Sequence, residues 1–307
     1  MRPIHVVGLV GLSLIWGASF MFIKIMLEDM TPLAIAWVRV AGGGVVIAAV
    51  LIALRRGVPR SRVYWRDAAV VGALGTAIPM VLIPWGEREI PSNLAAVLNG
   101  AMPFWAAILS TAFLPTERLT VKKAAGVTLG FVGLAVIIGR DALDIGATST
   151  QGQFAIVLAA FCYAAGAVYI RRRLLGVDSS MLAGVQNLLA LAMLTPLILW
   201  TSEVPDFTAL EARTWVAIAG LAILAQGVAL LIYYWLISNV EATQAAFVTY
   251  LAPIAAQFWG WAVLAEVPGR ALIPGLALII LGIAVVNRRP RTAVLVAEPS
   301  EATPAAR

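Results

Sequence analysis

Ten apolar stretches, separated by short polar breaks, follow one another along this chain of 307 residues. A helix that crosses a bilayer needs about 20 predominantly apolar residues, and most of the stretches are close to that length. Lipid offers the backbone no hydrogen-bond partners, so only helices and closed barrels span it. The stretches lack the alternating pattern of barrel strands. We therefore predict ten spanning helices with approximate bounds 4–26, 33–54, 67–86, 92–114, 121–139, 152–171, 180–201, 213–236, 241–264 and 271–288.

The scarcity of charge supports a membrane protein. The chain is 61% hydrophobic and only 12% charged, whereas soluble domains are about 25% charged. So few charged side chains cannot cover a water-facing globule, which excludes a cytosolic enzyme. The first stretch runs into Glu28 and Asp29 without a small-residue cleavage site, so we interpret it as a retained helix and not as a signal peptide.

Lysine and arginine in the connections predict the orientation. With the N-terminus in the cytoplasm, the inside segments carry 16 of these residues and the outside segments carry 4. Cytoplasmic loops of membrane proteins are enriched in Lys and Arg, so we predict that both termini lie in the cytoplasm, most simply at a bacterial inner membrane. The net charge of +6 is then a topology signal, and we expect no nucleic-acid partner.

The two halves of the chain match weakly. Asn99 to Pro103 resembles Thr249 to Pro253 in position, and Gly126 resembles Gly275. Each half has five predicted helices, and an odd number inserts the second half upside down, as in many secondary transporters. We predict two inverted five-helix repeats, 1–140 and 152–289. The polar, proline-containing segment 290–307 is expected to be a disordered cytoplasmic tail.

The order of these motifs resembles the EamA repeat of the drug/metabolite transporter superfamily, in its ten-helix branch. The resemblance covers about residues 4–289, and the second half departs from the first in having Gln186 in place of Arg39 and Tyr163 in place of Trp16. It implies a carrier that exports small metabolites, amino acids among them. The residues that carry it are Trp16, Gly17, Ala18, Ser19, Phe20, Pro32, Arg39, Ala95, Ala96, Asn99, Pro103, Glu117, Gly126, Gly130 and Gly133.

Two prolines interrupt equivalent helices. Proline removes the hydrogen bond to the carbonyl four residues earlier, so Pro103 frees the carbonyl of Asn99 and Pro253 frees that of Thr249. Freed backbone at membrane depth persists where protein or a water-filled cavity satisfies it. We predict that these four residues line a substrate cavity between the repeats. Ordinary helix packing is the alternative.

Further polar and aromatic residues fall deep in the stretches. Trp16, Tyr163, Tyr250 and Gln226 are candidates for the cavity wall, because a buried phenol or amide needs a partner. Contacts between helices are the alternative for each. Pro79 is a further candidate for the cavity wall and a candidate hinge in the third helix, with a static kink as the alternative.

Lys24 and Arg39 are the two basic residues that the orientation count assigns to the interior of a stretch and to neither side of the membrane. Either can attract a substrate carboxylate, and either can serve structure by snorkelling or by pairing with Glu28, Asp29 or Glu87. No Asp or Glu falls in the middle of a stretch. Because proton-coupled carriers usually need such a group, the sequence favours facilitated flux.

The reactive side chains are few. The chain has one cysteine, Cys162, and one histidine, His5, which excludes an internal disulfide and a structural zinc site. We expect no catalytic residues, metal or cofactor. The expected partners are a small-molecule substrate and lipid, and the expected state is a monomer, with a dimer left open. The predicted function is export by alternating access. Exporters of hydrophobic or cationic drugs, and less so a membrane enzyme or non-transporting protein, remain alternatives.

Overall fold

The computed structural model of the chain describes residues 2–53, 61–114, 120–138, 148–240, 248–267 and 270–287. Every regular element in these ranges is helical. The helices are α1 (Pro3–Met26), α2 (Pro32–Ala53), α3 (Arg62–Gly72), α4 (Ile78–Glu89), α5 (Ser92–Asn99), α6 (Met102–Phe113), α7 (Val121–Ile138), α8 (Thr148–Arg173), α9 (Ser179–Thr201), α10 (Ala212–Ala219), α11 (Ala229–Asn239), α12 (Val248–Leu264) and α13 (Leu272–Asn287). One π-helical segment, Ala73–Ala77, joins α3 to α4, and a second, Gly220–Val228, joins α10 to α11.

Many of these helices have the length and composition of membrane spans. Two shorter apolar helices, Leu251–Leu264 and Leu272–Val285, accompany the long ones. The protein is an integral membrane protein, while the total of ten spans and the cytoplasmic position of both termini stay predictions. The seven long spans found among the described residues are Pro3–Met26, Pro32–Ala53, Arg62–Glu89, Ser92–Phe113, Ser149–Arg173, Ser180–Thr201 and Ala212–Tyr233.

Most predicted bounds agree with the helices to within a few residues. The predicted bounds of the third stretch, 67–86, are too short. The helical run extends over Arg62–Glu89 and so includes Glu87. Helix α12 is described from Val248 onward. The earlier part of the ninth stretch and the predicted tail, 290–307, lie outside the described residues.

The packing between helices follows the same pattern in both halves of the chain. Helix α1 packs against α12, just as α8 packs against α5 and α6. Helix α8 packs against α4 and the first π-helical segment, just as α1 packs against α11 and the second. The remaining large contacts pair α2 with α9 and α7 with α13. Exchanging the two halves therefore preserves most of these contacts, as expected of two repeats packed face to face.

Glycines bring α7 and α13 into close contact. A Cβ at Gly133 would lie 2.7 Å from the carbonyl oxygen of Gly275, and one at Gly282 would lie 2.6 Å from that of Gly126. Small residues permit such backbone approach between membrane helices. The glycine pattern noted in the sequence thus lies at the contact between the last helices of the two halves.

Glu266, which follows α12, caps the N-terminus of α5. Its carboxylate accepts hydrogen bonds from the backbone N–H groups of Ser92 at 2.7 Å and Asn93 at 3.0 Å, and from the Ser92 hydroxyl at 2.9 Å. A helix N-terminus has unpaired N–H groups and a positive dipole end, both of which a carboxylate satisfies. The contact joins the second half of the chain to the first at the turn between α4 and α5.

Candidate functional site

A cavity of about 360 Å³ lies between the two halves, within the roughly 300–1,000 Å³ range of small-molecule pockets. Helices α1, α2, α4, α5, α6, α8 and α12 and both π-helical segments contribute to its wall. The wall is mostly apolar, with polar groups at a few positions. The lining residues are Trp16, Ser19, Phe20, Ile23, Arg39, Gly75, Met80, Ile83, Ala96, Asn99, Gly100, Met102, Pro103, Tyr163, Ala225, Gln226, Val248, Ala252 and Pro253.

The structure brings together most of the residues that the sequence nominated. These residues come from six separate parts of the chain, so no local sequence pattern could have placed them side by side. Their contact with a substrate stays a prediction. The nominated residues in the wall are Trp16, Arg39, Asn99, Pro103, Tyr163, Gln226 and Pro253.

Pro79 is placed differently from the prediction, while Thr249 and Tyr250 stay untested predictions. Pro79 is buried in the first turn of α4 but does not belong to the wall, where Met80 and Ile83 stand instead. Because the helical run Arg62–Glu89 is continuous, Pro79 lies inside it, directly after the first π-helical segment, and lacks an N–H that a regular helix would use. Thr249 and Tyr250 belong to α12, but their side chains lie outside the described part of the structure.

The wall near Asn99 is rich in hydrogen-bond acceptors. Helix α5 ends at Asn99, and α6 begins two residues after Gly100 with Pro103 in its first turn. Pro103 cannot donate to the Asn99 carbonyl. The side-chain oxygen Oδ1 of Asn99 is also buried, with no hydrogen-bond partner among the described residues. Such a spot suits a donor group on a ligand, an ammonium or a hydroxyl.

The equivalent proline in the second half behaves differently. Pro253 lies inside α12, whose described helix runs without a break over Val248–Leu264. The backbone is therefore fully interrupted in the first half and only lacks one hydrogen bond in the second. Each half has the predicted proline, but one follows a two-residue interruption of its helix and the other lies inside a continuous described helix.

The two π-helical segments were not foreseen. Gly75 of the first segment and Gln226 of the second both line the cavity. Single π-helical turns often mark functional sites, because they displace side chains from the regular helix. Pro79 was a signal in the third helix, and the glycines Gly220 and Gly227 were the available signal in the eighth.

Arg39 is connected through amide side chains to a helix outside the cavity. Its Nε donates to Oε1 of Gln226 at 3.3 Å, and Nε2 of Gln226 donates to Oδ1 of Asn187 at 3.3 Å. Nδ2 of Asn187 then donates to the backbone carbonyl of Val40 at 2.8 Å. Within the described part of the chain, Arg39 forms no ion pair. A cation whose hydrogen bond goes to a neutral amide, and which also interacts electrostatically with the buried carboxyl of Glu87, is thus part of the cavity wall.

Three successive glycines of α2 make room for this network. A Cβ at Gly43 would lie 2.1 Å from Cγ of Gln226, and one at Gly44 would lie 2.9 Å from Nδ2 of Asn187. A Cβ at Gly42 would lie 2.7 Å from Cβ of Ala222 in the second π-helical segment. The triplet is therefore the surface on which Gln226 and Asn187 pack.

Lys24 holds the end of a helix and is not part of the cavity wall. Its Nζ donates to the backbone carbonyl of Glu87 and, at 3.1 Å, to that of Ile90. A cation is favourable at a helix C-terminus, where the last carbonyls lack partners. Glu28, one of the pairing partners considered for Lys24, instead meets Arg213 at 3.3 Å. The geometry favours the structural interpretation of Lys24.

Two carboxyl groups are buried at opposite ends of the Arg62–Glu89 run. Asp67 is bound by Arg66 at 3.0 Å, the Tyr169 hydroxyl at 3.1 Å and Arg173 at 3.5 Å. Glu87 is fully buried, and neither carboxyl oxygen has a hydrogen-bond partner among the described residues. The predicted bounds end the third stretch just before Glu87, whereas the structure includes Glu87 in the last turn of α4. It is not in the middle of the helical run and does not line the cavity, so facilitated flux stays a prediction.

The cavity wall suits binding better than covalent chemistry. Among the described residues, its lining contains no acidic side chain, histidine or cysteine. Cys162 is buried in α8. The same ranges contain no group of three or more His, Cys, Asp and Glu side chains that could hold a metal ion. The polar groups in the cavity wall are a guanidinium, amides, hydroxyls and an indole.

Comparison with known proteins agrees with these features. The model of the EamA-like transporter family matches residues 4–139 and 150–288. The uncharacterized transporter YoaV of Bacillus subtilis is 23% identical, covering 90% of this chain and 94% of its own. The uncharacterized inner membrane transporter YedA of Escherichia coli is 28% identical, covering 91% and 89%.

Two further likenesses bear on substrate and fold. A protein of Streptantibioticus cattleyicolor named a probable terminal-alkyne amino-acid exporter is 26% identical, covering 89% of this chain and 90% of its own. A crystal structure superposes with a TM-score of 0.65 at 20% identity, covering 93% of this chain and 98% of the other. At that identity the likeness shows a shared fold alone.

Proposed function

The chain belongs to the EamA-like transporter family, and from that premise we propose that it exports small metabolites, with amino acids as the favoured class. It works as a secondary transporter that needs no ATP. Substrate binds in the cavity between the halves, which opens in turn to either side of the membrane.

The cavity is the observation that carries this proposal. Its wall takes residues from both regions that the family model matches, including Asn99 from the first and Pro253 from the second. A site between two repeats opens to alternate sides when one repeat moves against the other. The exchange of helix contacts between the halves supports inverted repeats, ten spans and a rocking motion of this kind.

The polar groups of the wall favour amino acids. Arg39 offers a cation for a carboxylate, and the acceptors at Asn99 suit an ammonium group. Apolar and aromatic residues, among them Trp16 and Phe20, complete the wall and suit an apolar side chain. A relative named as a probable amino-acid exporter adds weight, and one named as an inner membrane transporter supports a bacterial inner membrane.

Export of cationic drugs is the second candidate. The size of the cavity and its apolar wall would accept them, but Arg39 opposes a cation in a low-dielectric site. No described lining residue is acidic, so nothing in the described wall offsets that charge. Neutral hydrophobic compounds fit better than cationic ones.

Flux driven by the substrate gradient alone remains part of the proposal. The described cavity wall has no acidic side chain that could exchange a proton with the substrate site. Glu87 is the buried carboxyl that would be examined first if this part of the proposal fails.

Counterflow in proteoliposomes tests the proposed function. Purified protein is reconstituted, and the exchange of labelled compounds is measured for a panel of amino acids, other small metabolites and cationic dyes, with protein-free liposomes as the control. We expect accelerated exchange of amino acids and none of the dyes. Exchange no faster than in the control for the entire panel would refute the carrier.

A further inference from the structure

We propose that Arg39 binds a carboxylate group of the transported molecule and that Asn187, which lies outside the cavity, positions it for that task. The inference rests on the proposed function and names the chemistry by which its site selects a substrate. Asn187 carries no recognisable signal in the sequence, and neither its role nor that of the Gly42–Gly44 triplet follows from family membership.

The first reason for the proposal is the shape of the Arg39 guanidinium group. A guanidinium matches a carboxylate with two parallel hydrogen bonds, a geometry that an ammonium cannot offer. The Nε of Arg39 is used by Gln226, and neither terminal nitrogen has a hydrogen bond to a described residue. The buried carboxyl of Glu87 interacts electrostatically with Arg39 from outside the cavity. No acidic residue belongs to the described lining, so an anion inside the cavity comes from the ligand.

The second reason for the proposal is the direction of the hydrogen bonds that link Val40, Asn187, Gln226 and Arg39. The Val40 carbonyl can only accept a hydrogen bond, so Asn187 must present its NH₂ group to Val40 and its oxygen to Gln226. Gln226 must then use its own NH₂ group on Asn187 and present its oxygen to Arg39. One fixed backbone carbonyl thereby determines that Arg39 meets an acceptor. A reversed Gln226 would turn N–H groups toward the cation and push it away.

The third reason for the proposal is that the glycine triplet restricts the two amide side chains. Gln226 and Asn187 sit against Gly43 and Gly44 at distances that leave no room for a Cβ. Asn187 is 2% exposed, so no water replaces its contacts. The amides have little freedom to rotate, and a pre-arranged site binds more tightly than one that must be ordered by its ligand.

A matched pair of ligands tests the carboxylate. L-phenylalanine and L-phenylalaninamide differ in the carboxylate alone, and their apolar ring suits the wall. Binding of each is measured by titration calorimetry on the purified full chain. We expect the wild type to prefer the acid at least about tenfold, Arg39→Gln to lose that preference, and Arg39→Lys to keep part of it. An unchanged preference in Arg39→Gln would overturn the proposal.

A second variant tests positioning. Asn187→Leu keeps the branching and the number of side-chain heavy atoms but breaks the amide chain. We expect it to weaken binding of the acid several-fold and leave binding of the amide unchanged. Asn187→Gln retains both amide functions, but its longer side chain crowds Gly44. We therefore expect it to bind the acid more tightly than Asn187→Leu and less tightly than the wild type. Equal weakening of both ligands would assign Asn187 a purely structural role and contradict the proposal.

The outcomes separate this inference from the proposed function. Gly11→Ala is the folding control, because a Cβ there meets nothing within 4 Å, and every variant is compared with it by size-exclusion chromatography. Counterflow of panel compounds with no preference for the acid over the amide would contradict the carboxylate subsite and leave the carrier intact. Absence of all counterflow would instead refute the carrier itself.

Discussion

Gly43 of α2 leaves the space that the side chain of Gln226 occupies, since a Cβ at Gly43 would lie 2.1 Å from Cγ of Gln226. The second π-helical segment, which holds Gln226, packs on α2 at this point. A backbone feature of one half of the chain therefore determines where a polar side chain of the other half meets the cavity. The relationship ties substrate contact to the packing of the two halves.

Gly43→Ala should consequently displace Gln226 and destabilise the protein. Overpacking of this kind costs about 1–3 kcal/mol, which thermal unfolding in detergent would register as a lower midpoint. Gly11→Ala makes the same chemical change where no atom lies within 4 Å. Equal midpoints for the two variants would mean that Gln226 moves aside freely.

Glu266→Gln should weaken the contact between α12 and the N-terminus of α5. The carboxylate accepts three hydrogen bonds from Ser92 and Asn93, and a neutral amide replaces them poorly. We expect a loss of about 1–2 kcal/mol in the free energy of unfolding. Glu89→Gln, at an exposed position of α4, serves as the control and should have little effect.

Asn99→Ala should alter substrate selectivity without loss of folded, monodisperse protein. The change removes one acceptor of the cavity wall, and the Asn99 oxygen has no hydrogen-bond partner among the described residues to lose. We expect a higher KM for compounds with an ammonium group and little change for those without one. Tyr250→Ala tests the corresponding prediction for α12. Unchanged kinetics in both variants would return these residues to helix packing.

Counterflow should continue when an ionophore collapses the proton gradient. The reason is that no described lining residue is acidic. The measurement compares flux with and without the ionophore at a constant substrate gradient. Complete loss of flux would contradict the expectation, and Glu87→Gln would then test whether the buried carboxyl of α4 is the proton-binding group.

Helix positions could be predicted well from the sequence, because bilayer thickness sets span length and lipid forbids unpaired backbone. The errors fall where polar residues belong to a helix. Glu87 was assigned to a loop because it is charged, yet α4 continues to Glu89 and buries it. Hydropathy measures an average along the chain and does not report whether a charged residue faces protein.

The candidate site was predictable only in part. Asn99 and Pro103 stand out in the sequence because the proline lies four residues after a polar residue and frees its carbonyl, which is unusual in a span. Asn187 does not stand out, because its importance depends on Gln226 and Val40, which are distant in sequence. Lys24 and Arg39 look alike as buried cations, and only the packing separates the helix-capping residue from the cavity residue.

Blocking the cavity covalently is the most direct test of the account. The chain has a single cysteine, so Cys162→Ser gives a background for Ala252→Cys in the cavity wall and Ala262→Cys on the exposed side of the same helix. Each variant is labelled with a thiol reagent in proteoliposomes before counterflow of an accepted amino acid is measured. The account predicts that labelling at residue 252 abolishes flux, that substrate slows the labelling, and that labelling at 262 does neither. Full labelling at 252 with undiminished flux would show that the cavity is not the transport path.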